Sequence, residues 1–223
     1  MKIIVVVPVY NEESRVVEVI KKILESTGCQ IVVVNDGSTD DTRQVLDKFL
    51  AKNKRVTLLN HLFNLGKGAS VKTGVEKAWI LGAEAVVIID ADGQHSPKDL
   101  PRFEKALKRY LIVFGYREFD GEVPYIRKLG NIVATNLVGW LWGVRRKDLL
   151  SGFIGFRKEI YKQIYWYSRR YGLETEIATK VGRYKIPFKE IKIDTIYLDK
   201  YKGVSVVDAI KILGQTPVWF FEK

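Results

Sequence analysis

With one cysteine, one methionine and two histidines in 223 residues, the chain has little material for thiol, thioether or imidazole chemistry. Cys29 alone cannot close an intrachain disulfide, and no Cys/His cluster carries the spacing of zinc ligands, which fits a reducing cytosolic setting. No run reaches the roughly eighteen apolar residues that a membrane-spanning helix needs. The apolar opening, residues 3–7, is too short for a signal-peptide core. It runs into Pro8-Val9-Tyr10-Asn11-Glu12 in place of a small-residue cleavage site, so it reads as a first strand. Gly-x-Gly-x-x-Gly is missing after that strand, which argues against a dinucleotide-dependent dehydrogenase, and Gly66-Lys67-Gly68 has neither the spacing nor the Lys-Ser/Thr of a P-loop. Neither the aromatic strands of an RNA-recognition motif nor a Gly-x-x-Gly loop between helices is present, so nucleic acid is not the expected partner.

What the chain has in excess is positive charge: 37 Lys+Arg against 26 Asp+Glu give +11. Such a balance favours polyanionic partners, among them an anionic membrane face or a phosphorylated substrate. Most of the arginine falls between residues 98 and 183, interleaved with Trp and Tyr, a pairing suited to a lipid interface. Hydrophobic residues make up 47% of the chain, enough for one good-sized core, so a single domain over 1–223 is expected.

Apolar periodicity orders the first half. Residues 2–8 read as a strand and 11–26 as a helix with Val16, Val19, Ile20, Ile23 and Leu24 on one face. Residues 30–35 form a second strand, followed by a helix that Ser38 or Thr39 can cap; 56–60 a third strand; 65–68 a Gly-rich turn; 69–81 a third helix; and 84–90 a central strand. This alternation predicts an α/β fold with a mostly parallel, doubly wound sheet flanked by helices. Beyond it, a helix from Ser96-Pro97 to about 109, a strand at 111–115 and a strand at 148–156 turning at Ser151-Gly152 are expected. Helices at 158–167 and 174–181, a β segment at 186–196, a loop at 199–204 and a last helix from Ser205 follow. Residues 127–142 read as a helix, in the core or in a membrane interface, with Trp140 and Trp142 and basic residues at its ends.

The chemistry gathers where the central strand stops. Val86-Val87-Ile88-Ile89 runs into Asp90-Ala91-Asp92-Gly93-Gln94-His95, at the kind of strand end where ligands of open α/β sheets bind. Two carboxylates and the Gln94 amide oxygen are hard donors suited to Mg²⁺ or Mn²⁺. Asp-Gly is also ordinary turn chemistry, and the pair alone does not decide between the two.

Taken in order, Pro8-Val9-Tyr10-Asn11-Glu12, Val34-Asn35-Asp36-Gly37-Ser38-Thr39-Asp40, Asn64-Leu65-Gly66-Lys67-Gly68 and Asp90-Ala91-Asp92-Gly93-Gln94-His95 resemble the family-two glycosyltransferases of the GT-A fold. Gly115-Tyr116-Arg117, Asp148 to Phe153 and Lys200-Tyr201-Lys202-Gly203-Val204-Ser205 are similar to the branch that loads sugars onto polyprenyl phosphates, as dolichyl-phosphate mannose synthases do. The resemblance implies a nucleotide-sugar half at 1–95 and an acceptor-side half at 96–223. It also implies metal-dependent, inverting transfer from a GDP-mannose or UDP-glucose type donor to a polyprenyl (dolichyl) phosphate, at the cytoplasmic membrane face, with the membrane surface or a membrane protein as partner. Pro8, Tyr10 and Glu12 would border base and ribose, Asp36 would accept from the base, and Lys67 would approach the nucleotide. Asp90 would face the ribose or the metal, with Asp92 and Gln94 as ligands of the cation. Arg117, with Lys200 and Lys202, would grip the acceptor phosphate; where the branch carries Arg-x-x-Gly-x-Ser this chain has Lys200-Tyr-Lys-Gly-Val-Ser, without the bidentate fork. An acceptor hydroxyl would instead require a base, for which Asp148, Glu174 and Glu176 are the available carboxylates; the last two, two apart on one helix, would point to different faces. A non-catalytic nucleotide- or RNA-binding protein is the reading from another class, and it leaves the Asp90–Asp92–Gln94 set unused.

Overall fold

The computed structural model describes residues 1–51, 53–118, 135–136, 138–170 and 172–194. Among the described residues, seven strands, β1 (Ile3–Val9), β2 (Gln30–Asn35), β3 (Val56–Asn60), β4 (Ala85–Ile88), β5 (Ile112–Tyr116), β6 (Ile154–Arg157) and β7 (Phe188–Lys192), form one sheet in the order β3-β2-β1-β4-β6-β5-β7. The helices are α1 (Val16–Ser26), α2 (Thr42–Leu50), α3 (Lys67–Ile80), α4 (Leu100–Leu107) and α5 (Leu173–Arg183), with residues 138–142 helical as well.

β1 is buried along its whole length because both of its faces are covered. On one face Ile4 and Val6 pack with Val71 and Val75 of α3 and Ile177 and Val181 of α5. On the other, Val5 and Val7 pack with Ile20 of α1, Leu46 of α2 and Phe103 of α4. The β-branched runs of the first half are thus the two-sided strands of a doubly wound sheet, and β1 pairs in parallel with β2 and β4. In register, Val9 lies beside Asn35 and Asn35 beside Asn60, so three strands end at one level.

β6 is the exception. It runs antiparallel to both β4 and β5, pairing Ile88 with Ile154 and Ala85 with Arg157. Its amino end therefore lies beside the carboxyl end of β4, and the loop entering β6 reaches the same edge as the loop leaving β4.

Several local expectations are corrected. Ser38 and Thr39 do not cap α2: Asn11 N–H donates to Ser38 Oγ (3.0 Å) and Thr39 N–H to Asn11 Oδ1 (2.9 Å), while Thr42 N–H at the helix start is received by Asp40 Oδ1 (3.0 Å). The two hydroxyl residues thus tie the second βα loop to the first. The strand expected over 148–156 begins only at Ile154, because Asp148 is drawn into an ion pair and Leu150 N–H turns back to its Oδ1 (3.1 Å). The helix expected over 158–167 is a single 3₁₀ turn, Lys158–Ile160, and another such turn, Pro97–Asp99, precedes α4. The two tryptophans of the 127–142 stretch part company: Trp142 is buried and Trp140 is 81% exposed. The loop at 199–204 and the helix from Ser205 lie outside the described residues.

Candidate active site

The carboxyl edge of β1, β2 and β4 frames a cavity of about 550 Å³. Pro8, Tyr10, Glu12, Asp36, Lys67, Asp90 and Asp92 line it, together with Val9, Asn64, Gly66, Ser70, Ala91 and Arg170. Seven of the residues read from the sequence are therefore brought to one space.

Asp36, at the end of β2, is almost fully buried. Its Oδ1 accepts from Leu65 N–H (3.0 Å) and meets His61 Nδ1 (2.7 Å), and its Oδ2 accepts from Gly66 N–H (2.8 Å). His61 Nε2 in turn meets Thr73 Oγ1 (3.0 Å). Burial works to raise the Asp36 pKa, but the hydrogen bonds from His61, Leu65 and Gly66 prevail and hold it below the ordinary value. Asp36 thus fastens the Leu65–Gly66 turn while lining the cavity. His61, which no local spacing singles out, is part of that fastening.

Lys67, at the start of α3, is not a solvated lysine. Its Nζ lies 2.8 Å from Asp90 Oδ1 and 2.8 Å from Glu174 Oε1 on α5. Burial disfavours its charge, yet Asp90 and Glu174 outweigh burial and push its pKa above the usual lysine range. Asp90 responds in kind: burial would raise its pKa, and the charge of Lys67 holds it down. Gly152, in the loop entering β6, backs this cluster; a Cβ there would stand 2.6 Å from Lys67 Nζ and 2.7 Å from Asp90 Oδ2. His95 stacks obliquely on Phe153 with Nδ1 unpartnered, 3.8 Å from Asp90 Oδ2; burial pushes its pKa down to about 4, so the ring is neutral at pH 7.

Asp92 differs from its neighbours. Its one hydrogen bond here is from Gln94 N–H to Oδ1 (2.9 Å), and no Lys or Arg of the described residues pairs with it. Burial and the charge of Asp90 raise its pKa to about 6. Gly93, at φ +76°, folds the backbone so that the Gln94 backbone N–H meets Asp92, and Gln94 stands next to the cavity wall without lining it. Among the described residues no group of three or more His, Cys, Asp or Glu forms a metal cage. Two carboxylates are what Mg²⁺ commonly takes from a protein when substrate phosphates complete its shell. An uncompensated carboxylate with a raised pKa beside a second one fits that donor set.

Arg117 and Asp148 are brought together, but outside the cavity. Arg117 Nε lies 2.6 Å and Nη2 3.2 Å from the Asp148 carboxylate, and Asp148 is fully buried. Asp148, read as a candidate base, is the partner that holds Arg117 in this structure. The other two base candidates are also engaged, Glu174 by Lys67 and Glu176 by the amides of Tyr167 (2.9 Å) and Ser168 (2.9 Å) and by Lys180 (2.7 Å). They do point to different neighbours, as their spacing implied. Lys200 and Lys202 lie outside the described residues. Arg170 and Asn64 were not singled out by sequence; the only signal was the Gly66-Lys67-Gly68 turn, whose glycines lie against residues 168–170 and carry Arg170 to the cavity.

Comparison with known proteins matches residues 4–173 to the family model described as "Glycosyl transferase family 2". An uncharacterized protein of Methanocaldococcus jannaschii is 31% identical over 95% of this chain and 89% of its own length. A UDP-N-acetylglucosamine–dolichyl-phosphate N-acetylglucosaminyltransferase of Methanococcus voltae is 28% identical over 94% of this chain and 92% of its own. Among solved structures, a glucosyl-3-phosphoglycerate synthase of Mycobacterium tuberculosis, determined with Mn²⁺, UDP and phosphoglyceric acid, superposes with a TM-score of 0.74. It covers 100% of this chain and 79% of that one at 16% identity. That likeness shows the GT-A fold.

Proposed function

This chain belongs to glycosyl transferase family 2, and on that premise we propose that it moves a sugar, with inversion and with Mg²⁺ or Mn²⁺, from a nucleoside-diphosphate sugar to a polyprenyl phosphate. The observation that carries the reading is Asp92, a carboxylate with no cationic partner among the described residues, at the mouth of β4 in a cavity of about 550 Å³ walled by strand ends. Asp90 and Asp92 would hold the cation, which when bound supplies positive charge for the departing diphosphate. Lys67 keeps Asp90 ionised and in place. Pro8, Tyr10, Glu12 and Asn64 border the space left for base and ribose. Uridine diphosphate is the first nucleotide to test, since the Methanococcus voltae relative is named for a UDP-sugar.

The acceptor reading is supported by the Methanococcus voltae relative, named for a dolichyl-phosphate acceptor, and by the carboxylates read as bases. Asp148, Glu174 and Glu176 are each engaged by a cation, so none stands ready to take a proton. A phosphate monoester, with a second pKa of about 6, needs none. It needs orientation, and Arg117, held by Asp148, is the group we assign to its phosphate, with Lys200 and Lys202 as further candidates. Attack by its oxygen on the face opposite the leaving group inverts the anomeric centre. No helix of the described residues is long and apolar enough to cross a membrane. Exposed Trp140 and Leu141 beside Arg145 support contact with the cytoplasmic membrane face.

The test is calorimetric titration of UDP, GDP, UDP-N-acetylglucosamine, UDP-glucose and GDP-mannose, with and without Mn²⁺, against wild type and Asp92→Ala. It is followed by transfer of radiolabelled sugar to a short polyprenyl phosphate. Metal-dependent binding that the variant loses, with label in the lipid phase, is expected. Binding indifferent to metal and to Asp92 would overturn the metal assignment, and transfer to saccharide alone would overturn the acceptor.

A further inference from the structure

The cavity has two cations in its wall, Lys67 and Arg170, against Glu12, Asp36, Asp90 and Asp92. Lys67 is consumed by Asp90 and Glu174. Arg170 makes no ion pair with any described residue. Its position is not that of a loose surface side chain, because the segment that carries it is fixed from two sides. From the cavity side, Trp166 Nε1–H donates to Gly68 O (2.9 Å), Ala69 N–H donates to Arg169 O (3.2 Å), and a Cβ on Gly66 would stand 2.9 Å from Arg170 Cγ. From behind, the fully buried Glu176 receives the amides of Tyr167 and Ser168, and Lys180, bound to Glu176, also donates to Tyr165 O. Four backbone groups between residues 165 and 169 and one indole are thus engaged so that residue 170 meets the start of α3.

We propose that Arg170 is a catalytic residue that clamps the donor's diphosphate in the cavity it lines with Asp90 and Asp92, an inference that rests on the nucleotide-sugar reading above. The guanidinium is planar, permanently charged and suited to two parallel hydrogen bonds on phosphate oxygens. In the transfer, the bond between the anomeric carbon and the β-phosphate oxygen breaks and its electron pair stays on that oxygen. A new bond forms from the anomeric carbon to an oxygen of the acceptor phosphate, and no proton need move. The negative charge that appears on the leaving diphosphate would be met by Arg170, together with the cation that Asp90 and Asp92 would hold. Glu176 is a positioning residue for this clamp.

The experiment titrates wild type, Arg170→Ala and Arg170→Lys with UDP, UMP and uridine, and with GDP, GMP and guanosine, all with Mn²⁺, and measures sugar transfer by the same proteins. Arg170→Ala is expected to weaken the bound diphosphate roughly ten- to hundred-fold while leaving the nucleoside within about two-fold. Lysine should restore part of the affinity, and kcat should fall more than the nucleoside affinity. Arg170 is exposed, so the melting temperature of both variants should stay near that of wild type. Equal diphosphate affinity in wild type and Arg170→Ala would overturn the clamp and leave the donor reading intact. A loss equal for nucleoside and diphosphate would also overturn it, by assigning Arg170 to the shape of the base pocket. A wild type that binds no nucleotide would bring down the donor reading and the clamp together.

Discussion

Asp92 and Asp148 are two aspartates of one sheet edge treated in opposite ways. Asp148, from the second half of the chain, is fully buried and receives two nitrogens of the Arg117 side chain. Asp92, from the first half, is less buried, has no cationic partner among the described residues and carries a pKa raised to about 6. Depth alone would assign the stranger behaviour to Asp148. The partner decides instead: a buried charge that is paired serves the fold, and one left unpaired beside another carboxylate is kept for something that arrives.

The sharpest way to break this contrast is to unpair Asp148. Asp148→Ala should cost roughly 3–5 kcal/mol in urea unfolding, as loss of one member of a buried pair does. Against a total near 5–15 kcal/mol that is severe. Asp92→Ala should do the reverse: transfer falls by roughly 10²–10³ while the melting temperature holds or rises, since a repulsion has been removed. If Asp92→Ala unfolds the protein and Asp148→Ala does not, the contrast is wrong.

Gly152→Ala probes the ground between the two halves. Its new methyl would push on Lys67 Nζ and Asp90 Oδ2, both ends of side chains that can shift, so about 1–3 kcal/mol of stability is expected to go. Metal-dependent nucleotide binding should weaken with it, read by calorimetry. The mildest test is pH. Asp36 has a folded pKa below its ordinary value of 3.8, so the folded state binds fewer protons than the unfolded one in that range. Its contribution is complete above the ordinary carboxyl range and is lost as pH falls through the folded pKa. Acid unfolding of Asp36→Asn should therefore be shallower than that of wild type below about pH 4.

The order of strands and helices in the first half was legible because β-branched runs and helical spacing alternate with few residues to spare. Asp90 and Asp92 were legible because a strand that stops at carboxylates is a local pattern. The ion pairs that define the site were not. Arg117 and Asp148 are 31 residues apart, and Lys67 meets Glu174 only because α5 folds back across the sheet. No spacing in the chain announces either contact. Glu174 was visible as a candidate base and Asp148 as another, but whether a carboxylate is free depends on which cation the fold brings to it. Arg170 was hidden for a related reason: its position is set by hydrogen bonds to Gly68 and Ala69, far earlier in the chain.

The one reversed strand has a consequence for how such a protein can be rebuilt. Because β6 runs against β4, the antiparallel pairing of Ile88 with Ile154 brings Gly152 to Asp90 from the upstream side of a strand. Asp148 of this loop holds Arg117 and Gly152 stands against Lys67 and Asp90, so a loop exchange between Trp142 and Ile154 that keeps those two residues cuts no βα crossover of the first half. A chimaera carrying a relative's loop with those two residues kept is expected to hold the recipient's melting temperature and nucleotide affinity, read by calorimetry.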